Sequence, residues 1–313
     1  MIKSFFSKIK FFVENRGNEK FERITMLMLL AYSLTLLLVL LYFRVYLLPD
    51  QMIFFGMVGA FFIGRSRKFI KDWFPMVLLL FAYEAMRGIV YSIGPLIHFI
   101  EPIIAEEALF GGIPTIILQE LFFSSGTINW WDLVAGFAYS LHFVVPLFFA
   151  YFLWIKNEEL YKRFAINLVV VSYAALITFL IFPVAPPWMA SQQGYIGEVK
   201  QILFEIQEVY PMLFFKTLYV FVNSNPVAAI PSLHSAYPFL IFLFSLKHFG
   251  RKAFPVILLP LTIMLSVIYL GEHYVVDVLA GIIYALAVIF FVEKFLFKEF
   301  KKDLNVADKK EFV

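Results

Sequence analysis

The chain has 313 residues, of which 62% are hydrophobic, 19% aromatic and only 16% charged, and its mean hydropathy is +0.83. That much apolar matter cannot be covered by the polar surface of a soluble globule, so a polytopic membrane protein is implied. The absence of cysteine excludes disulfides, thiolate metal sites and cysteine nucleophiles, and the net charge of +3 matters mainly through where it is placed.

Residues 1–23 set Lys3, Lys8, Lys10, Arg16, Lys20 and Arg23 among Phe5, Phe6, Phe11 and Phe12. No small-residue cleavage site follows a short apolar core, so this segment is expected to be a basic amphipathic cytoplasmic helix at the membrane surface. Eight apolar spans are then predicted at 24–48, 51–65, 73–93, 131–155, 163–183, 231–247, 253–270 and 274–296, the second short enough to tilt. Residues 24–297 form one transmembrane catalytic domain in this scheme, and 298–313 a basic cytoplasmic tail. The expected fold class is therefore all-α, a polytopic transmembrane helix bundle of about eight spans.

Lys and Arg sort by connection. Arg65, Arg67, Lys68 and Lys71 follow the second span, Lys156, Lys162 and Arg163 the fourth, and Lys247, Arg251 and Lys252 the sixth. Residues 94–130 contain no Lys or Arg but carry Glu101, Glu106, Glu107 and Glu120, and residues 184–230 carry only Lys200 and Lys216. The positive-inside rule puts the first set in the cytoplasm with both termini and the second set outside. Segments 95–125 and 196–222 are too polar to span and are expected as helices at the outer interface, either roofing a lipid site or shielding the bundle.

Two histidines fall at the outer ends of spans six and eight. His273 and Asp277 are four residues apart, so a helix starting near Tyr274 puts them on one face, with the carboxylate in reach of an imidazole nitrogen. Such a carboxylate fixes the ring tautomer and leaves the other nitrogen nucleophilic; the plainer alternative is a His–Asp pair that caps a helix. His234 lies at the same expected depth behind Pro231-Ser232, which suits a helix start. Two helix N-termini converging there would make an anion site with Ser232 at its rim, and phosphoryl transfer asks little more than donors, an in-line nucleophile and an acid. His273 is then the candidate nucleophile and His234 the candidate acid.

Pro231-Ser232-Leu233-His234-Ser235 followed by Gly271-Glu272-His273-Tyr274-Val275-Val276-Asp277 resembles the second and third motifs of the type 2 phosphatidic acid phosphatase superfamily. The branch it is most similar to is that of inositol phosphorylceramide synthase and its prokaryotic relatives, which shares the upstream Phe182-Pro183-Val184-Ala185-Pro186-Pro187-Trp188. The likeness covers roughly residues 70–290. It implies that His273 attacks phosphorus to give a phosphohistidine, that Asp277 orients it, that His234 protonates the leaving group, and that water or an alcohol accepts the phosphoryl group. No metal or other cofactor is expected, and the partners are a lipid phosphate donor, its acceptor and membrane lipids, with no nucleic acid. The wider superfamily's Lys-x6-Arg-Pro motif is absent, and Val267 follows Ser266 where an Arg is usual.

A phosphate in a low-dielectric site still needs a cation. Arg87 is the best candidate, roughly two turns below the outer end of the third span; the alternative is a structural pair with Glu84, and both can hold together. Lys216 is the weaker candidate, because outer lysines snorkel. His142, ten residues beyond Asp132, either lines the cavity or hydrogen-bonds across helices about 15 Å below the histidine pair. Ala185-Pro186-Pro187-Trp188 reads as a rigid turn with an interfacial Trp anchor.

The function expected is a membrane-embedded lipid phosphotransferase or phosphatase acting on a phospholipid-type or polyprenyl-phosphate substrate. One version moves an inositol phosphate-like headgroup to a lipid alcohol, and the alternative is a simple lipid phosphate phosphatase. A non-catalytic lipid transporter or scaffold is the third possibility, though no inverted repeat is evident. The active site is expected on the extracytoplasmic side of a plasma membrane, and the lack of an Asn-x-Ser/Thr sequon fits a prokaryotic one.

Overall fold

A computed structural model of the chain describes Thr35 and residues 49–62, 64–92, 96–210 and 225–297. The expected surface segment 1–23, the first span apart from Thr35, Lys216 and the tail from 298 lie outside the described residues. The chain divides between Asp72 and Trp73 into two compact units. In the first, the described part is α1 (Pro49–Phe62) and the opening turns of α2 (Ser66–Ser92). With 14 residues, α1 is shorter than the roughly 17–25 that cross a bilayer unaided.

The second unit begins with the rest of α2. It continues through α3 (Ile100–Phe110), α4 (Pro114–Phe122), α5 (Trp130–Lys156), α6 (Glu158–Ile181), α7 (Pro187–Gln192) and α8 (Ile202–Val209). Then come α9 (Leu233–Phe249), a 3-10 segment (Gly250–Ile257), α10 (Leu258–Tyr269) and α11 (Val275–Phe291), which ends in a π-helical turn (Val292–Leu296). Among the described residues every regular element is helical, and extended backbone meets only in isolated bridges.

Four helical stretches are long and apolar enough to cross a membrane: Ser66–Val90, Glu158–Ile181, Leu233–Tyr269 and Val275–Leu296. The two arms of α5, bent by 49°, make a fifth when taken together. The bend lies just before Pro146, whose ring displaces the carbonyl of His142 and offers it no N–H. The stretch Leu233–Tyr269 doubles back on itself, because both of its ends meet α5: Tyr269 donates a short hydrogen bond to Asp132, and His234 stacks on Tyr139. Its two arms, Leu233–Phe249 and Leu258–Tyr269, fall in the segments expected as the sixth and seventh spans.

The bundle is built from apolar stripes at helical spacing. In α6 the buried residues Phe164, Leu168, Val171, Ala175 and Phe179 recur every three or four positions and face the core. Asn157, the single residue between α5 and α6, accepts a hydrogen bond on Oδ1 from the Leu160 N–H (3.0 Å) and so reverses the chain. In α11 the buried face is Asp277, Val278, Gly281, Ala285 and Val288, while Leu279, Ile283, Leu286 and Phe290 are exposed on the opposite face. A continuous apolar face of that kind belongs in lipid, and the protein is an integral membrane protein.

Where α9 starts against α11, Ser232 and Ser235 face Gly281, and such small residues let the two backbones approach closely. At the far end, Arg163 of α6 reaches Glu293 at 2.6 Å and Glu159 at 2.9 Å, and Lys247 of α9 reaches Glu293 at 3.2 Å. This charged layer ties the ends of α6, α9 and α11 together, one helix length from the histidines.

The near end is roofed. Helices α3 and α4 fall in the segment expected to lie at the outer interface, and α8 in the second such segment. Buried Gln119 of α4 donates to the carbonyls of Tyr269 (2.8 Å) and Lys200 (2.9 Å) and accepts from the Lys200 N–H (2.8 Å). Extended Val184 pairs with His98 on one side and residues 227–229 on the other, so the Phe-Pro-Val-Ala-Pro-Pro-Trp segment is a three-way backbone junction as well as a turn.

Candidate active site

Helix α9 starts against α11. The Ser232 N–H donates to the Asp277 carbonyl (3.0 Å), and the Ser235 hydroxyl contacts the carbonyls of Ser232 (2.8 Å) and Val278 (2.9 Å). Only glycine fits opposite this turn: a Cβ on Gly281 would lie 2.2 Å from the Ser232 carbonyl oxygen. The close crossing brings His234, in the first turn of α9, beside the N-terminus of α11.

His273 is placed by the turn that leaves α10. Gly271 has φ 82°, a left-handed conformation suited to glycine, and the N–H groups of Glu272 and His273 both donate to the Val267 carbonyl, at 3.1 and 3.2 Å. Helix α11 then begins with Asp277 accepting on Oδ2 from the Tyr274 N–H (2.9 Å). Glu106 of α3 accepts on Oε1 from the Val276 N–H (2.8 Å), so two carboxylates satisfy donors that a helix start leaves open.

The three expected catalytic side chains stand in a row. Asp277 Oδ2 lies 3.4 Å from His273 Nδ1, and His273 Nε2 lies 3.1 Å from His234 Nδ1. The first distance is long for a hydrogen bond, as catalytic contacts often are before substrate binds. A consistent proton assignment gives His273 an Nδ1–H facing Asp277 and a bare Nε2 that accepts from the Nδ1–H of His234. Asp277 is fully buried and His273 nearly so. Among the described residues Asp277 Oδ1 has no hydrogen-bond partner, so there the carboxylate has little besides His273 and the Tyr274 N–H to offset its burial.

The cavity beside the pair is lined by Tyr83, Glu84 and Arg87 of α2, Tyr139 and His142 of α5, and Glu272. Arg87 contacts Glu84 Oε2 through Nε (3.2 Å) and Nη2 (2.9 Å) and also lines the cavity, so both of its expected roles are compatible. His142 is not 15 Å away: its ring centroid is 4.0 Å from that of His234, and it stacks on Tyr237 at 5.2 Å and 4°. The expectation assumed that all outer helix ends share one depth. In fact Asp132 meets the end of α10 at the roof, whereas α9 starts about ten residues' rise lower, level with His142. Among the described residues the buried Ser232 hydroxyl has no hydrogen-bond partner and it does not line the cavity; its backbone makes the contacts.

Tyr139, Tyr237 and Glu272 were not singled out from sequence. The first two sit three residues from His142 and His234, a spacing that shares a helix face and could have flagged them. Glu106 had no local signal, because its partner is 170 positions away. Burial pushes the Glu106 carboxyl up to about 7 despite the Val276 N–H, with Asp277 adding to the rise. Among the described residues no group of three or more His, Asp or Glu is placed to hold a metal ion; His234, His273 and Asp277 lie in line instead of around a point.

Residues 102–291 match the family described as the PAP2 superfamily, a region that contains both histidines and Asp277. The chain belongs to the PAP2 superfamily. It is also 31% identical, over 257 residues, to a phosphoinositol dihydroceramide synthase of Bacteroides thetaiotaomicron, an alignment covering 76% of this chain and 81% of that protein. No solved structure matches. Relative to the third motif, the position usually held by Arg is Val267, which is fully buried and whose carbonyl anchors the His273 turn. Ser266 before it bonds back to the Thr262 carbonyl (2.7 Å). Among the described lining residues Arg87 supplies the positive charge, from a different helix.

Proposed function

We propose that the chain is a metal-independent lipid phosphotransferase that moves a phospho-headgroup from a glycerophospholipid to a lipid alcohol through a phosphohistidine intermediate. The observation that carries this reading is the row Asp277–His273–His234, ending at a cavity that holds Arg87. In the first half-reaction His234 enters as the imidazolium: the Nε2 lone pair of His273 attacks phosphorus, the bond from phosphorus to the diacylglycerol oxygen breaks, and the Nδ1 proton of His234 goes to that oxygen, leaving a neutral imidazole. Asp277 stabilises the Nδ1–H as positive charge develops on the ring, and Arg87 faces the non-bridging oxygens. In the second half-reaction His234 takes the proton of the acceptor hydroxyl, whose oxygen attacks phosphorus as the N–P bond breaks.

Transfer is favoured over hydrolysis by the synthase to which the chain is similar across most of its length, and that relative's name supplies the proposed pair, a phosphoinositol donor and a dihydroceramide acceptor. The site is proposed to open on the extracytoplasmic side of a plasma membrane, within eight spans and with both termini inside, because the basic residues Lys156, Lys162, Arg163 and Lys247 cluster at the other end of the bundle. The test is lipid mass spectrometry on the purified chain given phosphatidylinositol, with and without dihydroceramide. Inositol phosphoryldihydroceramide and diacylglycerol in equal amounts are expected. Release of inositol phosphate whether or not dihydroceramide is present would make the protein a hydrolase.

A further inference from the structure

A second cavity, a cleft of about 720 Å³, opens in the roof between α7 and α8, in the size range of small-molecule sites. Trp188, Gln192, Lys200, Gln201, Phe204 and Glu205 line it. The cleft adjoins the catalytic cavity at two points. Pro226 lines both, and Gln201 donates from Nε2 to Glu272 Oε1 at 3.1 Å, with Glu272 in the catalytic wall directly before His273. Whatever group hangs from the phosphorus opposite the lipid tail has to leave the catalytic cavity on some side, and this junction offers an exit into the cleft.

The lining chemistry selects among headgroups. Lys200 is held by Glu198 at 2.6 Å, and Glu198 and Glu205, two carboxylates against one ammonium, leave an excess negative charge in the wall. An anionic headgroup is repelled. An ammonium headgroup finds the carboxylates but leaves the amide N–H groups of Gln192 and Gln201 without an acceptor. A neutral polyhydroxyl group both donates and accepts, so it can use carboxylates, amides and the ammonium together, while its ring faces lie against Trp188 and Phe204.

We infer that the α7–α8 cleft is the subsite for an uncharged polyhydroxyl headgroup of the phospholipid donor, with the Gln201–Glu272 pair at its inner edge setting headgroup preference. This rests on the donor being a phospholipid, as proposed above. The cleft binds by hydrogen bonds to hydroxyls, leaving the phosphate to Arg87 and the histidines.

The test is equilibrium binding to the full chain in nanodiscs, read by native mass spectrometry with phosphatidylinositol, phosphatidylcholine and phosphatidic acid of matched acyl chains. Wild-type protein should prefer phosphatidylinositol over each of the others by about tenfold, the scale of one or two hydrogen bonds. Gln201→Ala should reduce that preference severalfold. Gln192→Trp, at an exposed position where a bulky ring fills the cleft without disturbing the core, should remove it. Equal binding of the three lipids by the wild type, or a preference that survives both substitutions, overturns the inference. Binding is read without turnover, so a preference accompanied by no transfer product would count against the proposed reaction and not against the subsite.

Discussion

Replacing Gly281 with Ala probes the crossing on which the histidine pair depends. The added methyl would sit 2.2 Å from the Ser232 carbonyl oxygen and 2.1 Å from the Ser235 hydroxyl. The hydroxyl can rotate away, but the carbonyl is backbone and belongs to the turn that starts α9. A carbon–oxygen contact settles at about 3.3–3.6 Å, so the start of α9 must retreat from α11 by roughly 1 Å. The His234 Nδ1–His273 Nε2 separation of 3.1 Å then opens beyond hydrogen-bond range. A misplacement of about 1 Å costs on the order of 10²-fold in rate, and overpacking of this kind costs about 1–3 kcal/mol of stability. Purified Gly281→Ala protein should therefore elute as a folded, helical species with turnover reduced about 100-fold. Wild-type turnover in that variant would refute the argument that the α9–α11 approach positions the site.

Other perturbations follow from the same geometry. Asp277→Asn keeps an oxygen for the Tyr274 N–H but no longer holds the His273 tautomer, and kcat should fall by about 10³–10⁴; a loss under tenfold would remove Asp277 from the mechanism. Arg87→Ala should lower kcat/KM by about 10²–10³, with Arg87→Lys recovering only part of it because a point charge replaces a planar fork; equal activity in all three proteins would show that another cation holds the phosphate. Because the Glu106 carboxyl is raised to about 7, the folded chain keeps a proton that the unfolded chain releases near 4.5. Its contribution to stability is complete below that pH and declines as pH rises towards 7. Thermal unfolding in detergent from pH 4 to 8 should show this decline in the wild type and a flatter trend in Glu106→Gln, and identical trends would contradict it.

Much of the bundle was legible because lipid imposes simple rules. Apolar runs located α2, α5, α6, α9, α10 and α11, and the spacing of four between His273 and Asp277 put both on one side of the α11 start. The meeting of His234 with His273 was also anticipated, since both motifs end their spans on the same side. Depth was not legible: spacing along α5 measured how far His142 lies from Asp132, but nothing local showed that α9 begins below the roof. Contacts made over long sequence separations were equally hidden. Glu106 capping α11, Gln119 pinning Lys200 to Tyr269, and the Gln201–Glu272 pair each join segments whose proximity only the folded chain creates. Arg87 was singled out because a guanidinium within an apolar helix is costly unless it faces a polar interior, an argument that needs no partner to be known, and it lines the cavity.

The central claim is that His273 is the nucleophile and His234 its facing acid and base. Intact-protein and peptide mass spectrometry after rapid quenching at alkaline pH, which preserves phosphohistidine, measures it most directly. With donor lipid and no acceptor, the wild-type chain should carry a phospho-headgroup adduct on His273 that disappears on addition of the acceptor, while His273→Asn should carry none. An adduct on another residue, or turnover by His273→Asn, would contradict the account.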